Sequence, residues 1–405
     1  MQGLSAYEKI AEPEEIRLLT RLGARLAGRS FLHVNSTSEG GGVAEILHRL
    51  IALFRELGIE ARWGVIRGDQ SFFEATKQIH NALQGQAIDM SPRMWEIHRE
   101  VNDANAGQIE LDADFVFIHD PQPAPLVHYR RSGRWVWRCH IDASHPHPPV
   151  WQRLASDVSR YDAAIFSGAQ FAQQLAVPQF VVPPSIDPLS EKNRDLGEPE
   201  VRGILEGHGI GLDKPLLVQV SRFDRFKDPL GVIAAYRMVK KYHDCRLILA
   251  GGAATDDPEG EAILSRVREE ARNDPDICVL LLPPFSDRTI NALQRAATIV
   301  LQKSTREGFG LTVAEALWKA KPVIGGAVGG IPSQIHHGAT GFLVHSVEGA
   351  AYRIRQLLHN PEMGKRMGEM GREHVRRNFL ITRQARDYLA LWVALEHRGK
   401  KVIQL

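Results

Sequence analysis

Short apolar runs alternate with amphipathic stretches along the whole chain. A short apolar run bounded by turn-forming residues reads as a buried strand, and apolar residues three and four apart read as a helix. In the first half, strands are predicted at Ser30–Val34, Glu60–Val65, Phe115–Ile118, Trp135–Cys139, Ala163–Phe166 and Phe180–Val182. A helix is predicted over Val43–Leu57, with Ile46, Leu47, Leu50, Leu53 and Leu57 on one face. Pro183–Asn193, proline-rich with a polar tail, reads as a linker.

The pattern then restarts. Strands are predicted at Pro215–Val220, Arg246–Ala250, Val279–Leu282, Ala297–Leu301, Pro322–Gly325 and Gly341–Val344. Helices are predicted at Leu230–Tyr242, Leu311–Lys319, Glu348–Leu358 and Glu362–Arg377, and a last one at Thr382–Glu396 has no strand after it. This alternation predicts an α/β protein of two doubly wound, Rossmann-like domains facing each other across a cleft, residues 1–190 and 191–379. Such sheets bind ligands beyond the carboxyl ends of their strands, so the chemistry is sought there.

Composition narrows the class. A chain of 405 residues is long for one core, consistent with two domains. Its 50 basic and 48 acidic side chains leave a net charge of +2, so no global field calls for nucleic acid or a membrane surface. Three cysteines without CxxC spacing argue against a disulfide framework and a zinc site. The polar N-terminal stretch has no signal-peptide core, no apolar run reaches transmembrane length, and the cytoplasm is the expected location.

The segment Ser304–Leu317 carries the strongest chemical signal. A predicted strand runs into a loop with Glu307, Gly308, Phe309 and Gly310, and a helix opens at Leu311 with Glu315 about one turn inside. Free amides at the helix start suit an anion, and the two carboxylates can accept protons from sugar hydroxyls. A phosphate-linked sugar fits this set better than a free one. Strand, glycine turn and helix also occur in any α/β protein, so the segment needs independent support.

Three other regions supply it. Gly40, Gly41 and Gly42 follow a strand and open a helix, where backbone amides can approach a diphosphate; the run is neither GxGxxG nor a P-loop. Arg222 and Lys227 follow the first strand of the second half and can offset the charge of a leaving diphosphate. Asp120, Gln122, Arg138 and His140 follow strands of the first half and offer polar partners to sugar hydroxyls, although such residues also serve as turns and caps. A fourth run, Gly325–Ile331, suits close approach of Gly329 and Gly330 to a sugar or base. Metal readings are weak. The Asp112–Ala113–Asp114 triplet precedes its strand, Asp256–Asp257 reads as solvated charge, and His145 and His147 are bounded by proline. No metal or cofactor is expected to be required.

Together these segments resemble the retaining GT-B glycosyltransferases, the family of sucrose-phosphate and glycogen synthase-like enzymes, whose signature is Glu-x7-Glu. Phe31–Ser38, Gly40–His48, His80–Gly85, His119–Pro123, Trp137–Asp142 and Pro183–Asn193 are most similar to its trehalose-forming members, and the likeness spans roughly residues 28–385. The resemblance implies a GT-B fold, with a C-terminal helix of about 380–405 crossing back to the first domain. It implies UDP-glucose or ADP-glucose as donor on the second domain and free glucose as acceptor on the first. Reversible transfer with retention would give α,α-trehalose. Arg222, Lys227, Glu307 and His140 are the implied catalytic set. Gly41, Gly42, Gly308, Phe309, Gly310, Leu311 and Glu315 join Arg222 and Lys227 around the donor, with Glu315 on the ribose and Glu307 on the glucose. Asp120, Gln122 and Arg138 are assigned to the acceptor. Two-fold dimers are the commonest assembly, so a homodimer is the expectation for quaternary state. Two alternatives stay open. A retaining trehalose phosphorylase would use Arg222 and Lys227 for free phosphate, and a silent sugar-nucleotide binder has no need of the full set of charges.

Overall fold

The computed structural model describes residues 3–39, 41–252 and 258–397, so Gly40 and the Asp256–Asp257 pair lie outside the described residues. The chain divides into two compact units, Met1–Ser185 with Leu380–Leu405, and Ile186–Phe379.

The first unit is built on six parallel strands: β1 (Ser30–Asn35), β2 (Glu60–Val65), β3 (Phe115–His119), β4 (Arg134–Arg138), β5 (Ala163–Phe166) and β6 (Gln179–Val181). Their order is β2-β1-β3-β4-β5-β6. Central strands are covered on both faces, which is why β3 and β5 are buried along their whole length. Helices Gly41–Glu56, Gln70–Leu83, Pro92–Ala106 and Pro148–Val158 connect them. Two of these start on side-chain caps, Asp69 accepting from the amide of Phe72 and Ser91 from that of Met94.

The chain's two ends complete this unit. Helix Pro13–Leu26 buries Ile16, Leu19, Leu22 and Leu26. It packs on helix Ile381–Glu396. From the latter, Trp392 packs with its ring tilted 4.1 Å from Phe115, and Tyr388 stacks at 4.7 Å on Phe117. Both aromatic rings are fully buried, so this last helix forms part of the first unit's core.

The second unit has six further parallel strands: β7 (Leu216–Val220), β8 (Arg246–Gly251), β9 (Ile277–Leu281), β10 (Ile299–Gln302), β11 (Val323–Gly326) and β12 (Gly341–Val344). Their order is β12-β11-β10-β7-β8-β9. One continuous core runs from Leu217 and Leu247 on the strands to Val232, Tyr236 and Ile354 on flanking helices. All twelve strands lie where the apolar runs predict them, with ends displaced by a residue or two.

The expected linker is not a free tether. Ser185 and Asn193 are buried. Arg383 donates to the carbonyls of Pro183 and Pro184 at 2.8 and 3.0 Å. In the second unit the amide of Ile186 donates to Phe379 O at 2.8 Å, and Lys319 Nζ to Asn193 Oδ1 at 2.8 Å. Proline content announced an irregular path, but buried partners hold that path in place. Among the described residues no helix is long and apolar enough to cross a membrane.

Candidate active site

In the second unit the polar residues gather at the carboxyl ends of β7 and β10. Beyond β7, Asp224 accepts from the amides of Phe226 and Lys227, closing a short turn over 225–227. That turn sends the Lys227 ammonium to Glu307 in the loop after β10, where Nζ lies 2.5 Å from Oε2. Both side chains are shielded, 16% and 9% exposed, so each is the other's main electrostatic partner. Ser304 Oγ and Gln302 Nε2 add hydrogen bonds to the same Oε2, at 3.2 and 3.3 Å. One carboxylate oxygen is therefore saturated by protein donors.

Arg222 behaves differently. Its guanidinium is 66% exposed and reaches Asp224 Oδ2 at 3.2 Å. The sequence groups Arg222 with Lys227 as a pair, whereas the turn at Asp224 separates an exposed cation from a shielded one.

Gly310 sits in the left-handed region at φ 85° and begins helix Leu311–Trp318 without a side-chain cap. Its first amides are left for another acceptor. Gly308 lies in this loop, Phe309 is buried, and Leu311 opens the helix. Glu315, one turn on, is buried; Gln294 Nε2 donates to its Oε2 at 3.3 Å and Lys192 Nζ lies 3.9 Å from Oε1. Gly329, at φ 55°, and Gly330 pack on the backbone of this loop. A Cβ on Gly329 would lie 1.6 Å from Glu307 O, and one on Gly330 2.6 Å from Gly308 O. These glycines were read as making room for a ligand; the space they make is filled by the loop that carries Glu307.

In the first unit the predicted residues also lie at or just beyond strand ends. Gly41, at φ 78°, and Gly42 open helix Gly41–Glu56 beyond β1. Asp120 follows β3 with φ 64°, an uncommon conformation for a residue with a side chain. Its Oδ1 accepts from the His140 amide at 2.7 Å, its amide donates to Arg138 O, and its carbonyl accepts from Trp137 Nε1. The αL twist thereby ties the ends of β3 and β4 together. Burial pushes the Asp120 carboxyl up to about 7, against the pull of the His140 amide and the Arg138 guanidinium. Arg138 is fully buried; Nη2 donates to Ser167 Oγ at 3.2 Å, and its Nε and Nη1 have no protein acceptor. The carbonyl of Gln122 accepts from His98 Nε2 and Asn102 Nδ2, while its Oε1 is buried without a partner.

His140 stands in a row. Its Nε2 lies 2.9 Å from His119 Nδ1, and His119 Nε2 lies 3.0 Å from His33 Nδ1. Burial holds all three imidazoles below their ordinary range, His33 at about 3, and the Arg138 charge adds to the effect at His119 and His140. His33, His119, Gln302, Ser304, Gln294 and Lys192 were not singled out in the sequence. His33, His119, Ser304 and Lys192 fall inside segments quoted for other residues, but nothing in the sequence marks the partners of any of the six.

Asp114, from the DxD-like triplet, accepts from the Ser30 amide and hydroxyl and pairs with Arg29 at the amino end of the sheet. It is a strand-end cap far from the strand ends that bear the candidate site. No group of three or more metal-binding side chains occurs among the described residues.

Two six-stranded parallel sheets with flanking helices are the fold of a GT-B glycosyltransferase. An α,α-trehalose-phosphate synthase (UDP-forming) from Burkholderia xenovorans superposes with a TM-score of 0.73, covering 91% of this chain and 100% of that one; at 14% identity the likeness is one of fold. Residues 33–173 match the family model described as trehalose synthase, N-terminal domain, and residues 203–374 match glycosyl transferases group 1. Trehalose synthase of Pyrococcus horikoshii is 47% identical over 393 residues, 95% of both chains. That of Thermococcus litoralis is 45% identical over 395 residues, 96% of both. The chain belongs to the trehalose synthase family and is a glycosyltransferase of trehalose-related glycosyl transfer.

Proposed function

We propose that this enzyme transfers glucose from a nucleoside diphosphate–glucose, UDP- or ADP-glucose, to free glucose, forming α,α-trehalose reversibly with retention. The observation that carries the reading is the Lys227–Glu307 pair at 2.5 Å, next to the uncapped helix that bears Glu315. The uncapped amides and Lys227 suit a diphosphate, and Arg222 adds a mobile cation for the charge that develops on departure. Glu307 is assigned to the donor glucose through the oxygen that Lys227 leaves free, and Glu315 to the ribose hydroxyls. Gly308, Phe309, Gly310 and Leu311 form the wall around them.

Gly41, Gly42 and His140 of the first unit are assigned to the donor phosphates and sugar. Asp120, Gln122 and Arg138 are assigned to the acceptor. The unpartnered Nε and Nη1 of Arg138 and Oε1 of Gln122 support this, since buried polar atoms ordinarily have partners. No side chain is assigned as a nucleophile. The bond from C1 of glucose to the diphosphate oxygen breaks as one forms to the acceptor hydroxyl oxygen on the same face, and the hydroxyl proton passes to a leaving phosphate oxygen. The protein contributes orientation and charge stabilisation, with no metal required.

The test is incubation with UDP-glucose or ADP-glucose plus glucose, without metal or phosphate, followed by carbohydrate chromatography. Trehalose with an equal amount of nucleoside diphosphate is expected. Glucose 1-phosphate from trehalose and phosphate, without turnover of either nucleotide sugar, would replace this reading with a phosphorylase.

A further inference from the structure

Three imidazoles connect the core of the first unit to its candidate site. His33 is fully buried on β1, with its ring stacked 4.4 Å from Phe117 and flanked by Phe54 and Tyr388. His119 ends β3, and His140 lies two residues past β4. The parallel register sets His33 beside Phe117 and His119 beside Arg138, so each imidazole lies two residues further along than the last, and their rings stack at 5.3 Å in each step. The hydrogen bonds run His33 Nδ1 to His119 Nε2 and His119 Nδ1 to His140 Nε2. At the inner end, His33 Nε2 is buried without a partner. At the outer end, no hydrogen bond engages His140 Nδ1 among the described residues, and the ring is partly exposed.

A neutral imidazole carries one N–H, so each hydrogen bond in the row fixes the next ring's tautomer. Only two consistent states exist. In one, every ring bears its proton on Nδ1, His33 Nε2 is a bare lone pair, and His140 presents Nδ1–H outward. In the other, every ring bears it on Nε2, and an N–H donor is left unpaired among the aromatic rings around His33. Orphaned buried N–H groups are the rarer and costlier defect, so the first state wins.

We propose that His33 and His119 are positioning residues that lock His140 as a neutral hydrogen-bond donor, its Nδ1–H directed to an oxygen of the sugar substrate. This rests on the assignment of His140 to the sugar. Neither His33 nor His119 touches substrate; they act through the ring of His140, as outer partners of a functional histidine do elsewhere.

The test begins with the wild-type protein labelled with 15N-histidine, whose imidazole tautomers are read by NMR and assigned with the His33→Phe and His140→Asn variants. Nδ1–H on all three rings is expected; Nε2–H on His140 overturns the proposal. His33→Phe keeps an aromatic ring in an aromatic pocket but removes the donor to His119. It should mix the tautomers of His119 and His140 and lower kcat about tenfold, with a smaller change in KM for the donor. His33→Asn, whose amide nitrogen takes the place of Nδ1, should recover most of that loss. Full turnover in His33→Phe, or no recovery in His33→Asn at an unchanged melting temperature, also overturns it. Full turnover in His140→Asn would instead remove the assignment of His140 to the sugar, whatever the tautomer spectrum shows.

Discussion

At the carboxyl end of the second unit's sheet the side chains are ionic and paired, while at that of the first the imidazoles are held neutral beside one buried cation, Arg138. Lys227 and Glu307 share a shielded ion pair, and Glu315 has Lys192 nearby. In the first unit burial keeps His33, His119 and His140 unprotonated and raises Asp120. The contrast suits the two tasks proposed for these residues. A diphosphate brings charge, and fixed counter-charges stabilise it as it departs. A sugar brings hydroxyls, which neutral imidazoles can recognise without the desolvation cost of a buried ion, leaving Arg138 as a buried charge whose two unpartnered nitrogens are free to meet hydroxyl oxygens.

The sharpest break in this comparison should come from Lys227→Ala. It leaves Glu307 shielded and without its main counter-ion, a change that costs roughly 3–5 kcal/mol of stability for a buried pair. The variant should melt well below wild type and turn over far more slowly. Replacing Glu307 as well, in Lys227→Ala/Glu307→Gln, should recover much of the stability but none of the activity. A single variant as stable as wild type would mean that the pair is not shielded in solution.

The first unit should answer to pH instead. An imidazole that stays neutral in the fold but binds a proton in the unfolded chain makes stability fall as pH drops below about 6.5. His33, His119 and His140 all act in that direction, down to about 3 for His33. Asp120 opposes them. With its carboxyl raised to about 7, the fold holds a proton the unfolded chain has lost, so its contribution falls as pH rises from about 4 to about 7. His98 is lowered by burial in the same way and Glu15 is raised by it, so lowered imidazoles outnumber raised carboxyls in this unit and stability should fall from pH 6 to pH 5. Denaturant melts at pH 5 and pH 6 check this, and His33→Phe should flatten the slope by about one proton. Equal stability at the two pH values in wild type would contradict the neutral row.

How much of this was legible in the sequence follows the same division. The second unit's residues crowd into two short segments, 219–228 and 304–317, where spacing, charge and glycine appear together. The first unit's row is spread over residues 33, 119 and 140, and only the parallel register of β1, β3 and β4 brings them into line. His33 lies within an apolar strand, where a lone polar residue carries no signal of its partners. Pairing inside the second site was equally hidden. Arg222 and Lys227 look equivalent in sequence, and the capped turn at Asp224 is what sends one inward and leaves the other exposed.

Arg222→Ala tests that division within the second unit. An exposed arginine contributes little to the fold, so its melting temperature should match wild type within the equivalent of about 0.5 kcal/mol. Turnover should still fall by about 2–3 kcal/mol of transition-state stabilisation if it neutralises the leaving diphosphate. Loss of stability comparable to Lys227→Ala would erase the distinction between the two cations. Near-normal kcat/KM would remove Arg222 from the chemistry.

The smallest effect is expected at Glu315. In Glu315→Gln the side-chain oxygen can still accept from Gln294, so the helix and its buried contacts should persist. On the proposed assignment, what is lost is a charge-assisted acceptor for ribose hydroxyls, a difference on the order of 1–2 kcal/mol in nucleotide binding. Because the ribose lies away from the reacting carbon, the loss should be shared by ground and transition states. KM for the nucleotide sugar should then rise about tenfold while kcat holds nearly constant. Calorimetry with the nucleoside diphosphate should give the same factor. Unchanged nucleotide affinity with a collapsed kcat would move Glu315 from the ribose to the reacting sugar, where it would share the role now given to Glu307.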